Sequence, residues 1–171
     1  MAPMLAGQQV NPRALAIKEF IDRINGYLAL QKKLESALKQ SPTDTPAQVE
    51  VRQKALALAI RTARQKARPG EIFGAAGEQF HEIIRQDARE RSVRDAYAAM
   101  QEVPRQSPPR VNVEYPETAA LATVPPLILK RLPPLPEGIE YRFMGRDLIL
   151  RDANANLIVD FLHEAVPTIR R

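Results

Sequence analysis

The sequence predicts an α+β protein: a helical bundle of about three helices, then a proline-rich extended segment, then a small three-stranded antiparallel β-meander. Three observations carry this. Apolar residues recur at helical spacing through the first hundred or so positions. Most of the 15 prolines fall after that point, against only 7 glycines in the whole chain. The last part alternates apolar and polar residues between clusters of turn formers. The organisation expected is a flexible N-terminus over 1–10, a bundle over 11–103, a crossover packed on it over 104–136, and a meander over 137–171, the last joined to the helices as one unit.

Asn11-Pro12 is a helix opening, Asn as cap and Pro at the first helical position. Ile17, Phe20, Ile21, Ile24, Tyr27, Leu28, Leu34 and Leu38 then form one apolar stripe on a helix running to about Gln40. Gly26 inside it is unfavourable relative to Ala by about 1 kcal/mol and suggests a close helix contact. Ser41-Pro42-Thr43-Asp44 reads as a loop. Thr45-Pro46-Ala47-Gln48 reads as a capping box with Pro at the first position. The second helix carries Val49, Leu56, Ala59, Ile60 and Ala63 near one face and stops at Arg68-Pro69-Gly70. A third helical stretch runs from Glu71 to about Val103, with a short turn near Ile72-Phe73. Phe80, Ile83, Ile84, Ala88, Val93 and Tyr97 supply its buried side, and Asp87–Arg91 and Glu90–Arg94 are spaced as i,i+4 ion pairs.

Pro104 ends the helical half. The segment after it favours extended or polyproline II backbone. Val111, Val113, Tyr115, Leu121, Val124, Leu127, Ile128, Leu129 and Leu132 make it too apolar for a free tether, so it is expected to wrap across the bundle, with one helical turn within Leu127–Leu132. The meander follows. Ile139, Tyr141 and Phe143 alternate with Glu140 and Arg142. Gly145 suits a tight turn, Leu148-Ile149-Leu150 forms a second strand, Arg151 to Asn156 a turn, and Leu157, Val159 and Phe161 a third strand. So small a sheet needs a cover for its apolar face, and the helical half is the expected one.

This C-terminal run resembles a group of small exported bacterial proteins that end in an L-P-x-L-P-E-x-x-E-Y-R-F-x-G-R-x-L-x-L-R-D-x-x-A-N-L-I-V-D pattern. Here the matching residues are Leu132-Pro133, Leu135-Pro136-Glu137, Glu140-Tyr141-Arg142-Phe143, Gly145-Arg146, Leu148, Leu150-Arg151-Asp152 and Ala155 to Asp160. The resemblance implies export and carries no activity with it. A looser likeness, Tyr141-Arg142 followed by Gly145-x-Asp147 and two short strands, is similar to small periplasmic domains of the nickel and cobalt homeostasis type. The chain has no His-rich tract, so no metal function is carried across.

Composition narrows the function classes. Apolar residues make up 44% of the chain and aromatics 5%, with no Trp, so a mainly aliphatic, alanine-rich core is expected. Without cysteine there is no disulfide and no thiolate metal site. No G-x-x-x-x-G-K, G-x-G-x-x-G or G-x-S-x-G motif occurs. Ser36, Ser41, Ser92 and Ser107 have no neighbouring His, and His81 and His163 lack the H-E-x-x-H spacing and read as surface or capping residues. Asp147, Asp152 and Asp160 are expected to converge at one end of the meander. The favoured reading makes them turn-forming acids paired with Arg142, Arg146 and Arg151. The sharper one makes them an acid–base pair or a divalent-cation site.

Net charge is +5 with a basic isoelectric point. Between Val51 and Gly70 stand Arg52, Lys54, Arg61, Arg64, Lys66 and Arg68 with no acidic residue among them. This is read first as a solvated helix face, neutralised by Glu71, Glu78 and Glu82. The alternative is a patch for nucleic acid or an anionic surface.

The function expected is a non-catalytic, exported (periplasmic) binding or scaffolding protein of the bacterial envelope, with no cofactor, no metal and no catalytic residue. Its presumed signal peptide is taken as removed, and its partner as another envelope protein. The candidate partner-binding residues are Arg146, Arg151, Asp152, Asn154 and Asn156 at the turn end of the meander. The alternatives are a cytoplasmic nucleic-acid or anionic-surface binder using the basic helix, and a metal-dependent enzyme using the meander carboxylates.

Overall fold

The structure, a computed structural model, describes residues 11–38, 45–90, 108–116 and 124–167. Helices precede strands, in the order α1 (Pro12–Ala37), α2 (Pro46–Ala63), a 3-10 turn (Gly74–Ala76), α3 (Gly77–Glu90), a single-turn α4 (Pro126–Leu129), then β1 (Ile139–Met144), β2 (Asp147–Asp152) and β3 (Leu157–Leu162). The fold is α+β. Residues 1–10, residues 39–44 with the loop expected over 41–44, the expected continuation of the third helix over 91–103 with Arg91 and Arg94, and Leu121 lie outside the described residues.

Both caps read from the sequence form. Asn11 accepts the N–H of Arg13, and Thr45 and Gln48 bond each other's backbone N–H as a reciprocal capping box. Helix α1 buries Ala16, Phe20, Ile24, Tyr27 and Gln31, a stripe at three- and four-residue steps. Gly26 is exposed, and a Cβ there would meet nothing within 4 Å, so it marks no helix contact. Helix α2 ends at Ala63, five residues before the expected Arg68-Pro69-Gly70 stop. The reason is tertiary: the Asn112 carboxamide donates to the Arg64 carbonyl at 2.7 Å, capping the helix from outside.

The sheet is a meander in the order β1-β2-β3, antiparallel throughout. Met144 pairs with Asp147 across a two-residue turn, with Gly145 at φ +57 in its first position. The register steps from Leu150 opposite Asp160 to Arg151 opposite Ile158, leaving Val159 as an extra, bulged residue. Ile139, Tyr141, Phe143, Leu148, Leu150, Val159 and Leu162 join the main core with the helices.

The core is mainly aliphatic, with an aromatic cluster set within it. Phe20, Phe73 and Phe80 are fully buried with ring centroids 5.0–5.5 Å apart, and Tyr141 of β1 lies 5.8 Å from Phe80. Few aromatics are present, but they gather where α1, the turn before α3, and the sheet meet. Gly77 opens α3 against the sheet: a Cβ there would lie 3.0 Å from a methyl of Leu162.

The sheet also buries its other face. Met144, Ile149 and Ile158 form a second cluster with Tyr115. The crossover supplies Tyr115 by lying along β3. Asn112 N–H donates to the Ile158 carbonyl, Ile158 N–H to Val113, and Tyr115 N–H to Asn156, at 2.8–2.9 Å. The contact amounts to a single antiparallel bridge, Glu114 opposite Leu157, beside the three-stranded sheet, and no pattern in the sequence signals it.

Candidate functional site

The three meander carboxylates do not converge. Asp147 starts β2 and Asp152 ends it, so they sit at opposite ends of the sheet, while Asp160 lies within β3 opposite Leu150. None is bonded to an arginine. Each accepts donors brought from elsewhere in the chain.

Asp152 is fully buried. Its Oδ2 accepts the Tyr27 hydroxyl at 2.6 Å and the Gln31 amide at 2.7 Å, both from α1. Its Oδ1 accepts the N–H groups of Asn154 and Ala155, which closes the β2–β3 turn. Burial first, and then the carboxylate, push the Tyr27 hydroxyl well above its ordinary pKa.

Asp160 is also fully buried. The turn after α2 points three N–H groups at it, from Gly70 (2.6 Å), Ile72 (2.7 Å) and Phe73 (3.1 Å), and Phe161 N–H adds a fourth at 2.9 Å. Gly70 adopts φ +77, a conformation other residues resist, which turns its N–H inward. Burial pushes the Asp160 carboxyl above the ordinary carboxylate range, and the four N–H groups oppose that shift.

Asp147 accepts Glu164 N–H at 2.7 Å and faces His163 Nδ1 at 2.9 Å. His163 keeps most of its side chain in solvent, 74% exposed. Among the described residues no group of three His, Asp or Glu side chains is placed to hold a metal ion.

The residues expected at one turn end of the meander are divided between its two ends. Arg146 sits in the β1–β2 turn, donating to the Val166 carbonyl and to Glu164, both at 2.9 Å. Asp152, Asn154 and Asn156 belong to the β2–β3 turn at the other end. Asn156 is buried at φ +49, accepts from Arg151 at 2.8 and 3.1 Å, and donates to the Tyr115 carbonyl. Arg151 also meets Glu140, and its guanidinium lies 5.0 Å over the Tyr115 ring. Glu140 takes Arg142 as well. Of the set, Asn154 alone is exposed.

The basic helix divides too. Arg52 pairs with Glu35 at 2.6 Å and Lys54 with Glu50 at 2.5 Å. Arg61 donates to the Asn112 carbonyl. Arg64 donates to Asn112 Oδ1 and to the bulge carbonyl of Val159, and covers the Tyr27 ring at 5.0 Å. Of the acids expected to neutralise this face, Glu78 pairs with Arg85 and Glu82 with Arg13, while Glu71 stays beside it and accepts the Arg68 backbone N–H. Lys66 and Arg68 remain exposed.

No family model, curated protein or solved structure matches the chain. No helix of the described residues is long and apolar enough to cross a membrane.

Proposed function

We propose that this protein is a non-catalytic binding or scaffolding component exported to the bacterial envelope, acting on another envelope protein. The observation that carries the reading is how the buried carboxylates are used. Asp152 and Asp160 each accept four hydrogen bonds from the chain itself. A carboxylate so bonded would have to abandon buried donors before taking a proton from a substrate or binding a cation, at a cost of about 1–3 kcal/mol for each donor left unpaired. These groups hold turns rigid, and rigid turns are where recognition side chains are carried. The two ends of the meander therefore offer separate polar surfaces: Arg146 with Glu164 and His163 at one, Asn154 at the other. The resemblance of the C-terminal pattern to exported proteins supports the compartment, and the compartment in turn suggests an envelope protein as the partner.

The test is fractionation of a native host carrying the protein tagged at its C-terminus, with the mature N-terminus read by mass spectrometry and partners trapped by crosslinking. A processed chain in the periplasm, with a crosslink reduced by Arg146→Ala or Asn154→Ala, supports the reading. An unprocessed cytoplasmic chain, or crosslinks unchanged by both substitutions, overturns it.

A further inference from the structure

The C-terminal end of α2 carries charge that the fold does not consume. Arg52, Lys54, Arg61 and Arg64 have partners within the chain, but Lys66 and Arg68 project into solvent just beyond the helix. Asn112 is fastened to Arg61 and Arg64, and so brings the exposed Arg110 of the crossover to the same place. Two apolar side chains stand open beside these cations. Leu58, one helical turn before Arg61, is 64% exposed, and Val113, next to Asn112, is 38% exposed. The exposed acids of these segments are Glu71, which accepts the Arg68 N–H, and Glu114. Cations predominate, and open apolar groups lie among them.

We propose that this junction of the α2 C-terminus with residues 110–113 docks on an anionic lipid bilayer. Lys66, Arg68 and Arg110 meet lipid phosphates while Leu58 and Val113 enter the headgroup region. Cations interleaved with exposed aliphatic side chains are the composition of an interfacial surface. A single-stranded nucleic-acid surface would instead present aromatic rings for stacking, and the aromatic of this segment, Tyr115, is buried beneath Arg151. The inference rests on a surface distinct from the meander ends and holds whichever compartment the protein occupies.

The experiment is co-sedimentation of the full chain with vesicles of phosphatidylcholine alone or mixed with phosphatidylglycerol, over a range of salt. Binding is expected only with phosphatidylglycerol, falling as salt rises. Lys66→Gln and Arg110→Gln should each weaken it about fivefold. Leu58→Ser should weaken the part that persists at high salt. Lys33→Gln, which removes an exposed cation of α1, should leave binding unchanged. All these sites are exposed, and circular dichroism verifies that each variant is folded. No binding to phosphatidylglycerol vesicles overturns the proposal, as does an equal loss in Lys33→Gln. Binding to RNA or DNA without vesicle binding overturns it in favour of a nucleic-acid partner.

Discussion

The Tyr27 hydroxyl and the Asp152 carboxylate meet at 2.6 Å across 125 residues of chain, both buried, one on the first helix and the other at the end of the second strand. Removing the hydroxyl in Tyr27→Phe should lower the free energy of unfolding by about 1.5–3 kcal/mol, the range for a hydrogen bond to a charged group. Asp152→Ala should cost more, because Gln31 and two turn N–H groups also lose their acceptor. The double variant should be less destabilised than the sum of the singles. Denaturant titration of the three variants measures this, and strictly additive losses would show that the two groups do not support each other.

Asp160→Asn tests the second anchor. The amide keeps the shape but turns an NH2 toward backbone donors, so about 3 kcal/mol should be lost. The amides of Gly70, Ile72 and Phe73 should then exchange with solvent well before the rest of the core. If they remain as protected as the core amides, the carboxylate does not hold that turn.

Asn112 combines φ +62 with side-chain bonds to Arg64 on both its oxygen and its nitrogen. Asn112→Gly removes the bonds and keeps the backbone at ease, whereas Asn112→Ala also places a Cβ in the left-handed region. Ala should therefore be worse than Gly by about 1 kcal/mol. Equal thermal stabilities would argue against backbone strain at this position.

Gly26 offers a gain. It is exposed within a helix and has open space around it. Gly26→Ala should stabilise the protein by about 0.5–1 kcal/mol, visible as a higher Tm. A lower Tm would reveal a steric demand on that face.

Alkaline pH should unfold the protein through its tyrosines. Burial raises Tyr27, Tyr115 and Tyr141 above the ordinary value of 10.0. Their folded pKa values exceed the unfolded one, so the stability they contribute is complete below pH 10.0 and is lost as pH rises from there toward the folded values. Tyrosinate absorbance and loss of helical circular dichroism should appear together above that pH. Ionisation of these three tyrosines in the still-folded protein would contradict their burial.

The order of elements and the strands were legible because their signals are local: a cap with its proline, a period of two, a glycine in a two-residue turn. The second buried face of the sheet had a signal too, since Leu148-Ile149-Leu150 and Leu157-Ile158-Val159 are continuous apolar triplets, which suit strands covered on both sides. The roles of Asp152 and Asp160 were not legible. Their sequence neighbours suggest arginine partners, and the donors that bind them lie 87 to 125 residues away or are adjoining backbone N–H groups. Arg64 was misplaced for the same reason. On a helix rich in cations it looks like surface, yet it joins Tyr27, Asn112 and Val159.

The arrangement of the two buried carboxylates bears on modularity. Most of their donors stand on one side of the proline-rich crossover and the acceptors on the other. A meander separated from its helices would retain charged groups in an apolar surface with most of their donors removed. The helices would retain a tyrosine, a glutamine and a turn of N–H groups with nothing to bind. Neither half can be exchanged for a foreign one by recombination at the crossover without that penalty. The heritable unit is therefore the pair, and substitutions in the first helix and in the second strand are constrained together.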